Sequence, residues 1–147
     1  MKRWLFLIGL AALLVSACGQ STPAVTTPAP ATEREVPVDG ESYHVINVTQ
    51  LKAMLDSKDF LFVNVHIPYE GEIEGTDLFI PYNEIEKNLD KLPADTNARI
   101  IIYCRSGSMS SIAAKTLTRL GYTNITDVEG GMFAWEMQDY PLVQTPQ

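Results

Sequence analysis

Arg99-Ile100-Ile101-Ile102-Tyr103-Cys104-Arg105-Ser106-Gly107-Ser108-Met109-Ser110 is the stretch that decides the fold. Residues 99–103 are rich in β-branched side chains and bounded by polar segments, which predicts a buried strand at the centre of a sheet. From Ser110 onward the period changes. Ile112, Ala113, Thr116, Leu117 and Leu120 recur at helical spacing, and Gly121 stands where a helix commonly stops. A strand, a short polar loop and a helix follow one another here, with Cys104 at the first junction.

Working outward, Tyr43 to Val48 alternates as a short strand, and Thr49 is expected to cap a helix through Leu51, Met54 and Leu55. Phe60 to Val65 is a near-continuous apolar run of the kind found in strands buried on both faces. Leu78 to Pro81 predicts another short strand, and Asn83 a cap for a helix of Ile85 and Leu89 that ends near Pro93. Ile125 to Val128 is the last strand, and Gly130-Gly131-Met132-Phe133-Ala134-Trp135 turns into a final helix. Strands alternating with helices imply an α/β fold, a central mainly parallel sheet flanked by helices on both faces.

The N-terminal end has another character. Met1-Lys2-Arg3, an apolar run from Trp4 to Val15 and then Ser16-Ala17-Cys18 make a basic, apolar and small-residue series of export type, too short for a comfortable span of about 20 apolar residues. Residues 1–17 are therefore expected to be a cleaved signal peptide. Val15-Ser16-Ala17-Cys18 resembles the bacterial lipobox, which implies lipidation of Cys18 and an extracytoplasmic, membrane-anchored protein on the periplasmic or cell-surface side. Residues 18–41, rich in Pro, Thr and Ala, are expected to be a tether, residues 42–143 one domain and residues 144–147 a tail. The chain has 2 cysteines. With Cys18 lipidated no disulfide is available, so the free thiol of Cys104 in an exported protein needs a reason. Burial as an inert small hydrophobe is the competing account.

A net charge of −7 and a pI near 4.7 argue against a nucleic-acid partner, because phosphate binding needs clustered Lys and Arg. No metal-ligand cluster, phosphate loop or haem motif is present, so no cofactor is expected and the chemistry has to be the cysteine's own. The acidic run Glu70, Glu72, Glu74 and Asp77 is too loosely spaced for a metal site and is expected to be a solvated loop.

In parallel sheets ligands gather beyond the carboxyl ends of the strands, where Cys104 falls. The backbone N–H groups of residues 105–109 can curl around one anion while the following helix turns its positive end toward it. Thiols in such a setting ionise more readily than free ones. Gly107 would allow the tight backbone path, and Ser106, Ser108 and Ser110 would add hydroxyl donors.

These residues reach a known family. Cys104-Arg105-Ser106-Gly107, the Ser-rich turn into Ala113-Ala114, Leu117, Leu120-Gly121-Tyr122, Gly130-Gly131 and Ala134-Trp135 together resemble the rhodanese homology domain over essentially the whole predicted domain. The resemblance implies a sulfurtransferase in which Cys104 takes a sulfane sulfur from a donor, holds it as a persulfide and passes it to a thiol or other nucleophilic acceptor. Related phosphatases and arsenate reductases place Arg six positions after the cysteine; Ser110 stands there, which argues against phosphoryl chemistry.

Two departures bear on the substrate. Many members of the family carry Arg where this chain has Met109, and the family's usual Asp-Val-Arg aligns with Asn64-Val65-His66. Met109 puts binding of a thiosulfate-like dianion in doubt. Asn64 is expected to be a buried structural hydrogen-bonder, and His66 either a structural residue or an acid assisting sulfur release. Trp135 is expected to anchor the core, with Met132 and Phe133 at the pocket mouth. A non-catalytic or redox-sensing module that binds a protein partner through the same fold is the alternative function.

Overall fold

The computed structural model describes residues 33–144. The expected signal peptide, the lipobox with Cys18 and the tether through residue 32 lie outside the described residues, as do residues 145–147. The predicted central strand is β6 (Ile100–Tyr103), whose four side chains are all buried. Alternation sends Ile100 and Ile102 to one face of the sheet and Ile101 and Tyr103 to the other. Each such burial contributes about 1.5–3 kcal/mol, and both faces need a covering layer.

The remaining strands are β1 (Arg34–Val38), β2 (Glu41–Ile46), β3 (Leu61–Asn64), β4 (Glu72–Ile73), β5 (Leu78–Phe79), β7 (Ile125–Val128) and β8 (Leu142–Val143). Six of them form the main sheet in the order β1-β2-β7-β6-β3-β5. Every neighbouring pair is parallel except β1 with β2. Helix α2 (Ser108–Arg119) and a 3₁₀ segment, Ile85–Lys91, cover one face over Val45, Val63, Ile100 and Ile102. Helices α1 (Val48–Leu55) and α3 (Gly131–Glu136) cover the other over Phe62, Ile101 and Tyr103. The expected α/β architecture is present.

Several local expectations change. The cap of α1 is Asn47, not Thr49: its Oδ1 accepts from the Gln50 N–H and the Gln50 Oε1 accepts from the Asn47 N–H, both at 2.9 Å, a reciprocal capping box. The Ile85 segment is 3₁₀, kinked at Asn88 and begun at Glu84 without a side-chain cap, so Asn83 caps nothing. Helix α2 starts at Ser108, two residues before the expected Ser110.

The largest correction is at the domain boundary. Residues 34–41 were expected to be tether, yet Arg34-Glu35-Val36-Pro37-Val38 is the edge strand β1, returned to β2 by a two-residue turn at Asp39-Gly40. Both turn residues have positive φ, 51° and 97°, the backbone that Asp-Gly adopts in a tight hairpin. Charge and proline are tolerated on an edge strand, which is why the segment reads as linker.

Candidate active site

Four parallel strands, β2, β7, β6 and β3, deliver their carboxyl ends to one rim, and Cys104 follows the central β6 directly. Its side chain is buried, with the residue 1% exposed. Two hydrogen bonds reach the sulfur from the described residues: the Gly107 N–H at 3.1 Å and the Ser110 hydroxyl at 3.5 Å. Gly107 is the residue from which α2 starts, with φ of 97° and no side-chain cap, so the positive helix end faces the sulfur. An anion on Sγ meets a dipole, an amide and a hydroxyl.

The loop keeps this shape because α3 braces it from behind. The Met132 N–H donates to the Cys104 carbonyl at 2.9 Å and the Phe133 N–H to the Arg105 carbonyl at 2.8 Å. Gly131, with φ of 50°, lies so close that a Cβ there would overlap the Cys104 carbonyl. Glycine is required at that position by contact as well as by conformation.

The other predicted loop residues separate into different roles. The Ser106 and Ser108 hydroxyls are exposed and lie 3.0 Å from each other, not on the sulfur; the inner hydroxyl is that of Ser110, which is fully buried. Met109 is half-buried and packs against the α2-side core. Arg105 is held by two carboxylates, Nε to Glu70 Oε2 at 3.2 Å and Nη1 to Glu136 Oε2 at 3.4 Å, so its charge is already matched.

Asn64 at the end of β3 is the expected structural hydrogen-bonder. Its Nδ2 donates to the Gly71 carbonyl at 3.1 Å and its Oδ1 accepts from the His66 N–H at 3.0 Å, tying down the segment that follows. His66 is buried, with Nε2 3.4 Å from Glu70 Oε2, and through Glu70 it joins Arg105 rather than the sulfur. The acidic run is not simply solvated. Glu72 and Ile73 form β4 against β8 and are buried, and the Asp77 carboxylate accepts from the Phe62 N–H at 2.8 Å and from Lys58. Trp135 is the core anchor expected, donating from Nε1 to the Pro141 carbonyl at 3.0 Å. Met132 is core rather than pocket mouth, whereas Phe133 is exposed.

One residue beside the site was not anticipated. Asp127, on β7 in register with Ile102 of β6 and Val45 of β2, is 4% exposed, and its Oδ1 accepts no hydrogen bond from the described residues. Burial pushes its carboxyl up to about 6, partly offset by the Ser110 hydroxyl and the Val128 N–H, while Glu129 raises it and Arg34 lowers it. An acid inside a four-residue, otherwise buried strand is the sequence signal that could have found it.

Comparison with known proteins bears on this geometry. The family model of the rhodanese-like domain matches residues 47–138. The chain belongs to the rhodanese-like domain family. Among its relatives is a sulfurtransferase of Allochromatium vinosum, 32% identical over 93 residues that cover 61% of this chain and 84% of the relative. A tRNA uridine(34) hydroxylase of Erwinia tasmaniensis is 29% identical over 96 residues, 61% of this chain but only 27% of that enzyme. The crystal structure of a rhodanese-related protein from Thermoplasma volcanium superposes with a TM-score of 0.58 at 30% identity, over 67% of this chain and 96% of that one. Strands β1 and β2 lie outside the span that the family model matches.

Proposed function

We propose that this rhodanese-like protein is a sulfurtransferase that carries a sulfane sulfur as a persulfide on Cys104. The observation that supports it most is the sulfur of Cys104 held at the start of α2 between the Gly107 N–H at 3.1 Å and the Ser110 hydroxyl at 3.5 Å. That environment favours an anionic sulfur and keeps solvent from it. The similarity to the Allochromatium sulfurtransferase points the same way.

In the first half-reaction the Cys104 thiolate attacks the outer sulfur of a donor persulfide. A new S–S bond forms, the donor's S–S bond breaks, and the donor leaves as a thiolate. In the second, an acceptor nucleophile attacks the outer sulfur of the Cys104 persulfide and the Cys104 thiolate departs into its cradle. Two half-reactions sharing one covalent intermediate give ping-pong kinetics.

The donor follows from charge. Arg105 is matched by Glu70 and Glu136, and position 109 carries methionine, so the rim offers little to a dianion. A low-molecular-weight or protein-bound persulfide fits better than thiosulfate. Incubating the full chain with such a persulfide is expected to add one sulfur to the tryptic peptide 100–105, with none in Cys104→Ala. Absence of the adduct with several chemically different donors overturns the proposal.

The proposal extends to location: a lipid on Cys18 holds the domain at the extracytoplasmic side of a bacterial membrane, on the strength of Lys2-Arg3, the apolar run and Val15-Ser16-Ala17-Cys18. Metabolic labelling with a tagged fatty acid, abolished in Cys18→Ser, is the result expected.

A further inference from the structure

Large apolar side chains are exposed at Leu89, Ile112, Leu120, Phe133 and Met137 among the described residues. Phe133 and Met137 stand out: they are the most exposed of these, at 56% and 67%, and they lie four residues apart at the end of α3. The Met137 N–H donates to the Phe133 carbonyl at 3.0 Å, so the helical path puts both on one face. A single exposed apolar residue needs no explanation, but a pair on one helix face beside a reactive loop does.

That face is tied to the loop through Arg105. The Phe133 N–H donates to the Arg105 carbonyl at 2.8 Å, Glu136 holds Arg105 Nη1 at 3.4 Å, and Glu70 holds its Nε at 3.2 Å. Both ion pairs use Oε2, and the Oε1 of each carboxylate meets no cation among the described residues. One guanidinium against two carboxylates leaves negative charge in excess, and with the carboxylates 43% and 45% exposed that excess faces solvent. The whole chain, at −7, adds a field of the same sign. An exposed aromatic ring next to a solvent-facing carboxylate suits an ammonium or guanidinium group, which gains an ion pair and a cation–π contact together.

We propose that the Phe133 and Met137 face, with Glu70 and Glu136, docks a flexible basic segment of a partner protein that carries the donor or acceptor cysteine. An apolar residue of the segment covers Phe133 and Met137, and a Lys or Arg pairs with Glu136. The segment has to project, because Cys104 is 1% exposed and a cysteine set in the flat surface of a folded partner cannot reach its sulfur. Charge complementarity selects the partner and speeds encounter, while the aromatic anchor holds it. An anionic membrane surface has the wrong sign for this face, although the apolar pair alone would suit it.

The purpose of such docking rests on sulfur transfer at Cys104, whereas docking itself is measured without chemistry. The full chain is used as Cys104→Ala with reductant present, and a labelled flexible peptide with Lys-Leu-Cys-Lys at its centre is followed by fluorescence anisotropy. It is expected to bind at least about tenfold more tightly than a Glu-Leu-Cys-Glu analogue at low salt, with the gap closing as salt is added. Phe133→Ser leaves the net charge as it is and should weaken the Lys peptide about five- to twentyfold, with Met137→Ser weakening it about threefold. Glu136→Gln should weaken it about threefold or more. Glu86→Gln, the same charge change on the 3₁₀ segment across the sheet, should act less than about 1.5-fold. Equal affinity for the two peptides, no loss in Phe133→Ser, or an equal loss in Glu86→Gln overturns the docking surface and leaves Cys104 as nucleophile. Flotation of the Cys18→Ser chain with phosphatidylserine vesicles, lost on adding Phe133→Ser, also overturns it, by making the face a membrane contact. The expected binding beside a Cys104 that takes up no sulfur from any donor supports the docking surface and overturns the transfer alone.

Discussion

Two helices begin beside Cys104, and both begin on a left-handed glycine with no side-chain cap: α2 at Gly107, φ 97°, and α3 at Gly130, φ 74°. They use that common start differently. The first turn of α2 faces the sulfur, with the Gly107 N–H and the Ser110 hydroxyl on Sγ. The first turn of α3 faces the back of the same loop, with the Met132 and Phe133 N–H groups on the carbonyls of Cys104 and Arg105. Helix α1 provides the contrast, since its Asn47–Gln50 box satisfies its own first turn. An uncapped helix start is a donor set left for something else, and here one serves the Cys104 sulfur and the other the frame that shapes its loop.

The comparison breaks most visibly at Gly131. Gly131→Ala drives a methyl group into the Cys104 carbonyl and should lower stability by about 3–5 kcal/mol in chemical denaturation, with loss of sulfur loading in whatever remains folded. If stability and loading both survive, α3 is not the brace. Next in size is the pH dependence beneath α2. Burial raises the Asp127 carboxyl from 3.8 to about 6, so the native state holds that proton more tightly than the unfolded chain. The associated stability is full below about pH 4 and is lost as pH rises through 6. Asp127→Asn should therefore remove on the order of 1–3 kcal/mol of this decline between pH 4 and 7.5, read from denaturation midpoints against the parent.

A smaller change sharpens what the α2 start lacks. Met109→Arg adds a cation to its first turn and should raise the rate of loading from thiosulfate about tenfold while leaving loading from a small neutral persulfide within about twofold. Equal effects on both donors would mean that charge at the rim does not select the donor. The least effect is expected for Ser110→Ala, which removes one of the two donors that the described residues give the sulfur: Cys104 alkylation at pH 7 should fall about three- to fivefold with little change in stability. The ordering of Gly131 above Ser110 is itself the test that bracing matters more than a single direct donor.

Much of this site was legible in the residues. The change of period at Cys104 predicts a strand, a loop and a helix whatever else the chain does, because burial on both faces demands the Ile100–Tyr103 run and the apolar face of α2 demands its spacing. Asn64 was legible too, because a buried amide in place of an acid has few uses other than hydrogen bonding. The Asp39-Gly40 turn was visible but masked by the charges and Pro37 of β1, which suit an edge strand and a linker equally. The acidic run was misread because solvent and a buried antiparallel pair leave the same residues in the sequence, and only β8, some seventy residues later, distinguishes them.

What the sequence by itself determined is the place and setting of the candidate nucleophile: a single cysteine after a central strand, followed by small and hydroxyl residues that let backbone amides approach it. Tertiary structure decided which of those groups serve it. Three serines lie within six residues of Cys104, yet only Ser110 turns inward, because its place on the first turn of α2 faces the sheet while Ser106 and Ser108 face water. Likewise nothing local marks Asp127 as a neighbour of the loop. Its proximity is set by the parallel register of β7 on β6, a contact between residues far apart in the chain, and the burial that shifts its titration exists only once the sheet and α2 have closed over it.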